Sequence, residues 1–289
     1  MESSTSSLTR LAKGAFELTI TIPENLVEKT YDHYIEEAIK NAEIKGFRRG
    51  AAPREKVEPV LDQSQLHDKV VQALVPRAYI EAVQRHHLDP VLNPQVRLVS
   101  VKPKENWQIE ATSCEAPEVV LGNYKAEVKK ALVSDSLWTP GQGDPTQKKE
   151  DNKDAKIDKI LNHLLSVITI EPADILISEE ANHSLARLID QTQQLGLTVE
   201  QYLSSIGKTA EALRAEYAQS AKNNLQTEFL LSAVIDDLNI TVDEKDVDQL
   251  INSTPDPQTR KSLETPQSKS SIRTLLARRR ALDSLLEFA

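Results

Sequence analysis

Hydrophobic and polar positions alternate without a break over residues 14–22. Phe16, Leu18, Ile20 and Ile22 fall on one side and Glu17, Thr19 and Thr21 on the other, which predicts a half-buried strand. Pro23 ends it and suits a helix start. The period then becomes helical: Leu26, Val27, Thr30, Tyr34, Ala38 and Ile39 form a stripe predicting a helix to about residue 45. A short helix after Pro53 carries Val57, Val60 and Leu61. A longer one over 63–86 buries Leu66, Val70, Ala73, Leu74, Tyr79, Ile80 and Val83, with a kink expected at Pro76. Two further strands are predicted at 96–101 and 107–113, the second alternating Trp107, Ile109 and Ala111 with Gln108, Glu110 and Thr112. The first hundred or so residues therefore read as α+β, a small antiparallel sheet covered by helices.

Residues 134–156 change character. Gly141, Gly143, Pro140, Pro145 and a polar run over 147–153 predict a linker, in which Trp138 is out of place. From 157 onward the pattern is helical throughout. Ile157, Ile160, Leu161, Leu164, Leu165 and Ile168 make one stripe; Ala181, Leu185, Leu188, Ile189 and Leu195 make a second, closed by Gly196. Thr198 with Gln201, and Thr241 with Glu244, read as capping boxes. Between them a long helix carries Leu213, Tyr217, Ala221, Leu225, Phe229 and Ala233. Val247, Leu250 and Ile251 mark the next helix, and a turn-rich segment with Pro255, Pro257 and Pro266 follows. Ile272, Leu275, Leu276, Leu282, Leu285 and Leu286 mark the last helix. The domain reading is 1–118 α+β, 119–156 connecting segment and flexible linker, and 157–289 all-α with extended helical arms. For the helices over 174–252 two readings stay open: an ordinary core, or arms that leave part of their apolar face free.

Composition narrows the chemistry. The 289 residues carry a net charge of -9 and only 4% aromatics, which argues against nucleic-acid binding over the whole surface. One cysteine, Cys114, allows no intrachain disulfide. The Ser/Thr-rich first 13 residues lack the apolar run of a secretory signal, and no stretch approaches the ~20 apolar residues of a membrane span. A cytoplasmic protein with no membrane partner is expected. The six histidines show no metal-ligand spacing, and His86-His87 at a helix end point apart. No phosphate-binding glycine loop or nucleophile motif occurs, and Asp236-Asp237 and Asp243-Glu244 read as helix-end charges. No catalytic residue, metal or cofactor is expected.

One stretch stands apart. Gly46-Phe47-Arg48-Arg49-Gly50, followed by Ala51, Ala52 and Pro53, sets a large ring and two guanidiniums between glycines, in a chain with only eight glycines and four phenylalanines. Lys40, Lys45, Arg48, Arg49, Arg54 and Lys56 against Glu43 and Glu55 make this segment locally +4. A solvated basic loop at a helix C-terminus is one reading, since the helix dipole favours cations there. The other is a docking tip, because an exposed phenylalanine beside guanidiniums suits a partner with carboxylates or phosphates.

The same five residues with Pro53, placed after a helix that follows a single N-terminal strand, resemble the signature of trigger factor, the bacterial ribosome-associated chaperone family. Residues 8–118 look like that family's ribosome-binding domain. Residues 170–180, Gly196-Leu197-Thr198-Val199-Glu200-Gln201-Tyr202 and Gly207-Lys208-Thr209 are similar to its C-terminal helical domain. The resemblance implies that the loop docks beside the exit tunnel of the large ribosomal subunit. Phe47 would pack on a ribosomal protein, and Arg48 and Arg49 would pair with its acid groups and with ribosomal RNA phosphate. It implies an ATP-independent chaperone that shelters nascent polypeptides, releases them through weak reversible contacts, and forms a homodimer off the ribosome. Two departures stand out. Ala51 and Ala52 replace a further basic residue, and the prolyl-isomerase domain of most members, which resembles FK506-binding proteins, has only 134–156 in its place. A domain needs on the order of 50 residues, so isomerase activity is not expected. The alternative function is a ribosome- or RNA-binding assembly factor without chaperone activity.

Overall fold

The computed structural model describes residues 4–42, 47–48, 53–133 and 151–288. The chain divides into two compact units, residues 1–116 with 173–176, and residues 117–172 with 177–289.

The first unit is built on four antiparallel strands: β1 (Thr5–Arg10), β2 (Ala15–Ile22), β3 (Gln95–Ser100) and β4 (Trp107–Cys114), in the order β1-β2-β4-β3. The alternation read from the sequence is the pleat of β2: Phe16, Leu18, Ile20 and Ile22 are all fully buried. Its partner β4 sets Trp107 opposite Ile22 and Ile109 opposite Ile20, so both apolar rows share one face. Helices α1 (Glu24–Asn41) and α3 (Gln63–Arg85) close that face with Val27, Val70, Leu74, Ala78 and Ala82. Trp107 is the largest buried side chain; its indole N–H donates to Lys102 O at 2.8 Å, and Tyr31 and His67 meet it edge-on.

Three details differ from expectation. β1 was not foreseen, because Thr-Ser-Ser-Leu-Thr-Arg has only Leu8 as an apolar residue. It pairs nonetheless with β2 from Phe16 to Thr21, where an edge strand needs only backbone partners and one covered face. The β1–β2 turn needs Gly14, whose φ is +76° and whose Cβ site lies 3.3 Å from Glu115 O. Helix α1 stops at Asn41, with Ala42 extended and its N–H on Ile39 O, rather than running to 45. In α3 Ile80 is 54% exposed, and Val75 and Ala78 fill the core instead. Pro76 lies inside α3 as read from the sequence, one turn beyond the exposed Gln72, whose carbonyl it leaves without an intrahelical donor.

The second unit contains α4 (Tyr124–Val133), α5 (Asp151–Val167), α6 (Asp174–Gln194), α7 (Val199–Ile206), α8 (Ala210–Asp237), α9 (Glu244–Ser253), α10 (Pro257–Leu263) and α11 (Pro266–Glu287), the first turn of α6 being grouped with the first unit. Its core joins Tyr124 and Val128 of α4, Ile160 and Leu164 of α5, Leu230 and Val234 of α8, and Ala281 and Leu285 of α11. Part of the stretch read as connecting segment is therefore a core helix, and α5 begins inside the span read as linker. The periodicity of α4 is short and interrupted by lysines, which hid it. Residues 134–150, with Trp138, lie outside the described residues.

The capping box of α7 is as expected: Thr198 N–H donates to Gln201 Oε1 at 2.9 Å and Gln201 N–H to Thr198 Oγ1 at 3.2 Å. That of α9 is displaced by two residues. Asp243 is the N-cap, and its N–H donates to Asp246. The segment read as turn-rich holds α10, because Pro257 and Pro266 both occupy first-turn positions, where a missing N–H costs nothing.

Tyr124 is 3% exposed and its hydroxyl donates to Asp237 at 2.7 Å. Burial first, and then this bond, push the phenol well above its ordinary pKa, so it remains a donor. Tyr124→Phe should lower the stability of the helical unit by about 1 kcal/mol, the worth of one such bond, read as a lower urea midpoint with unchanged slope.

Candidate functional site

Residues 42–53 lie between α1 and the next helix, α2 (Arg54–Val57). At one end α1 terminates with Lys40 in its last turn. At the other, Pro53 is the N-cap of α2 and accepts from Lys56 N–H and Val57 N–H, and Val57, 1% exposed, seats this turn in the interior. Arg54 ties the turn to α1 and to itself, donating to Asp32 at 2.7 Å and to Glu58 at 3.2 Å. Those hydrogen bonds, Asp32 first, hold the guanidinium pKa above its ordinary value.

Between these anchors Phe47 is 44% exposed and Arg48 is exposed. Pro53 is exposed as well. Gly46, Arg49 and Gly50 lie outside the described residues. The basic run is thus of two kinds. Arg54 is committed to carboxylates of its own unit, while Lys40, Arg48 and Lys56 face solvent. A ring near half exposed, next to an exposed guanidinium, can insert into an apolar cleft while the cation meets an acid group or a phosphate.

The remaining candidates fall into structural places. His86 lies 3.0 Å from Ser6 Oγ, and His87 makes the left-handed exit of α3 at φ +52°. Asp237 accepts from Tyr124, and Asp243 caps α9. Cys114 is buried, which pushes its thiol pKa up. Among the described residues no group of three or more His, Cys, Asp or Glu side chains is placed to hold a metal, and no helix is long and apolar enough to cross a membrane.

A second feature was only half visible in the sequence. Helices α6, α7 and α8 enclose an open groove of about 300 Å³, lined by Leu185, Ile189, Val199, Tyr202, Leu203 and Leu213 among others. Ile189 is 37% and Val199 38% exposed, and beyond the groove Leu195 at 75% and Leu197 at 40% project from the α6–α7 turn. Of the two readings of these helices, the geometry favours the one with uncovered apolar faces. The signal was the surplus of apolar residues at 195–206, more than an eight-residue helix needs for one buried face.

Two family models match in chain order. One described as "Bacterial trigger factor protein (TF)" covers residues 4–136, and one described as "Bacterial trigger factor protein (TF) C-terminus" covers residues 145–287. Only residues 137–144 separate them, too few for a further domain. The chain is similar to the trigger factors of Staphylococcus epidermidis and Staphylococcus aureus, 28% identical over 191 residues in each case, which is 66% of this chain and 41% of the relative. The match thus spans well under half the length of these curated relatives. The fold is also similar, at a TM-score of 0.66 and 13% identity, to a solved structure reported as "Promiscuous Substrate Recognition in Folding and Assembly Activities of the Trigger Factor Chaperone", with 98% of this chain and 99% of that one covered. With its α+β unit and its helical unit each matched by a model of one family, the chain belongs to the trigger factor family.

Proposed function

We propose that this protein is an ATP-independent chaperone that docks near the tunnel exit of the large ribosomal subunit through the loop at 46–53 and shelters nascent polypeptides with its helical unit. The observation that supports docking most is the exposure of Phe47 and Arg48 on a loop whose neighbouring arginine is already occupied by Asp32 and Glu58. Arg54 braces the tip and Arg48 and Arg49 are its contact groups. The groove between α6, α7 and α8 receives apolar client segments, and its shallow, open form suits contacts that are weak one by one and reversible without nucleotide. The chain acts in the cytoplasm and carries no isomerase activity, since nothing lies between its two regions that could hold that domain. A homodimer off the ribosome would cover the same apolar residues.

The test is twofold: sedimentation with ribosomes through a sucrose cushion, and suppression of aggregation when a denatured client is diluted into buffer. Both should be positive. Failure of the second leaves a ribosome-binding factor without chaperone activity. The Ile189→Asp, Val199→Asp variant should weaken client affinity roughly five- to tenfold, the effect of removing ~1 kcal/mol of apolar contact at the groove, while ribosome sedimentation stays intact. Unaltered client affinity would remove the groove from the client surface.

A further inference from the structure

The sheet of the first unit ends in two edges of different character. Edge strand β1 is Thr-Ser-Ser-Leu-Thr-Arg, with Arg10 paired to Glu115 at 2.9 Å. The opposite edge, β3, is Gln-Val-Arg-Leu-Val-Ser and stands open: Val96 is 40%, Leu98 44% and Val99 46% exposed. Val96 lies opposite Ala111 and Leu98 opposite Ile109, both fully buried. Residues opposite one another in an antiparallel pair share a face. Val96 and Leu98 therefore continue the apolar floor of the core past the cover of α1 and α3. Among the described residues only β4 pairs with β3, so alternate N–H and C=O groups of its outer side have no strand beside them.

We propose that the free edge of β3 takes up an extended segment of a non-native polypeptide as a fifth strand, with apolar residues at alternate positions packed against Val96 and Leu98. This rests on the chaperone reading above and gives it a second client surface, on the α+β unit. Only an extended chain offers donors and acceptors at the two-residue spacing together with side chains on one face. Main-chain pairing is indifferent to sequence, as a chaperone of many clients requires. The edge is also short, because the register shifts between Leu98 and Ser100. Each captured segment is held by few bonds and leaves readily.

A second copy of this chain is the poorer occupant. Opposite residues must share a face, so a two-fold pairing of β3 with itself centres on a residue. Centred on Arg97, Val96 meets Leu98, but Arg97, whose side chain is 83% exposed and only 3.6 Å from Glu110, faces its own copy. Centred on Leu98, the pairing crosses the register shift. Centred on Val96, it ends after three residues at Pro94, which has no N–H. A foreign segment with a neutral or acidic residue opposite Arg97 meets none of these obstacles.

Amide hydrogen exchange of the full chain, with and without saturating reduced and carboxymethylated α-lactalbumin as a permanently unfolded probe, tests this. Exchange over residues 95–99 should slow about tenfold with the probe and stay unchanged in β1. Val96→Lys with Leu98→Lys should remove that protection and leave exchange in β2 and β4 as it was, since both side chains are already well exposed. Probe bound, by fluorescence anisotropy, without protection of β3 overturns the inference and leaves the chaperone reading standing. Absence of any probe binding overturns both. Protection that appears without probe and grows with chain concentration assigns the edge to a second copy and overturns the inference.

Discussion

Replacing Phe47, Arg48 and Arg49 together with alanine abolishes sedimentation with ribosomes, while the circular dichroism spectrum and thermal midpoint stay those of the parent chain. The expected size follows from the exposure of the tip. Phe47 at 44% exposure and the exposed Arg48 make no contribution to either core, so their loss costs the fold little. At an interface an aromatic anchor and a desolvated arginine are each worth ~2 kcal/mol or more. Losing three such groups moves affinity by more than a thousandfold on the scale of ~1.4 kcal/mol per tenfold. Where a guanidinium pairs with RNA phosphate, its loss also flattens the salt dependence by roughly one unit of slope. Arg54→Ala is the contrasting substitution. It frees Asp32 and Glu58, loosens α2, and weakens binding indirectly, with a smaller loss that leaves the salt slope near that of the parent. Undiminished sedimentation of the triple variant would place docking elsewhere on the molecule.

Trp107→Ala destabilises the α+β unit by about 3–5 kcal/mol, the range for emptying a large buried aromatic site. The ring is fully buried, its N–H is satisfied by Lys102 O, and β2 and α3 pack around it. Alanine leaves a cavity and an orphaned carbonyl in the turn that joins β3 to β4. Urea unfolding followed by circular dichroism should show the α+β unit melting early and the helical unit, whose core is separate, melting as before. A loss below about 1 kcal/mol would mean that the unit collapses around the gap, contrary to the packing seen here.

The core of the α+β unit was legible because β2 and β4 carry one apolar residue at every second position, and an alternation of that length has one reading. The stretch at 46–50 stood out from its residue types alone, since two glycines, a phenylalanine and two arginines have no common use inside an element. Neither β1 nor α4 could be read with the same ease. A Ser/Thr-rich edge strand is specified by the neighbour it pairs with. Tyr124, Val128 and Ala131 look scattered until α5, α8 and α11 surround them. Arg54, counted with the other cations of the basic run, separates from them only when Asp32 arrives from a helix 22 residues earlier.

What the sequence determined by itself is local. Strand and helix periods, the cap at Thr198, the helix end at Gly196, and the concentration of glycine, phenylalanine and arginine at 46–50 follow from side-chain types and spacing. What only the tertiary structure decided is which apolar faces stay uncovered: Ile189 and Val199 along the groove, and Val96 and Leu98 on the open edge of the sheet. The reason is physical. An apolar side chain has the same period whether or not a neighbour covers it, and burial belongs to the pair of surfaces that meet.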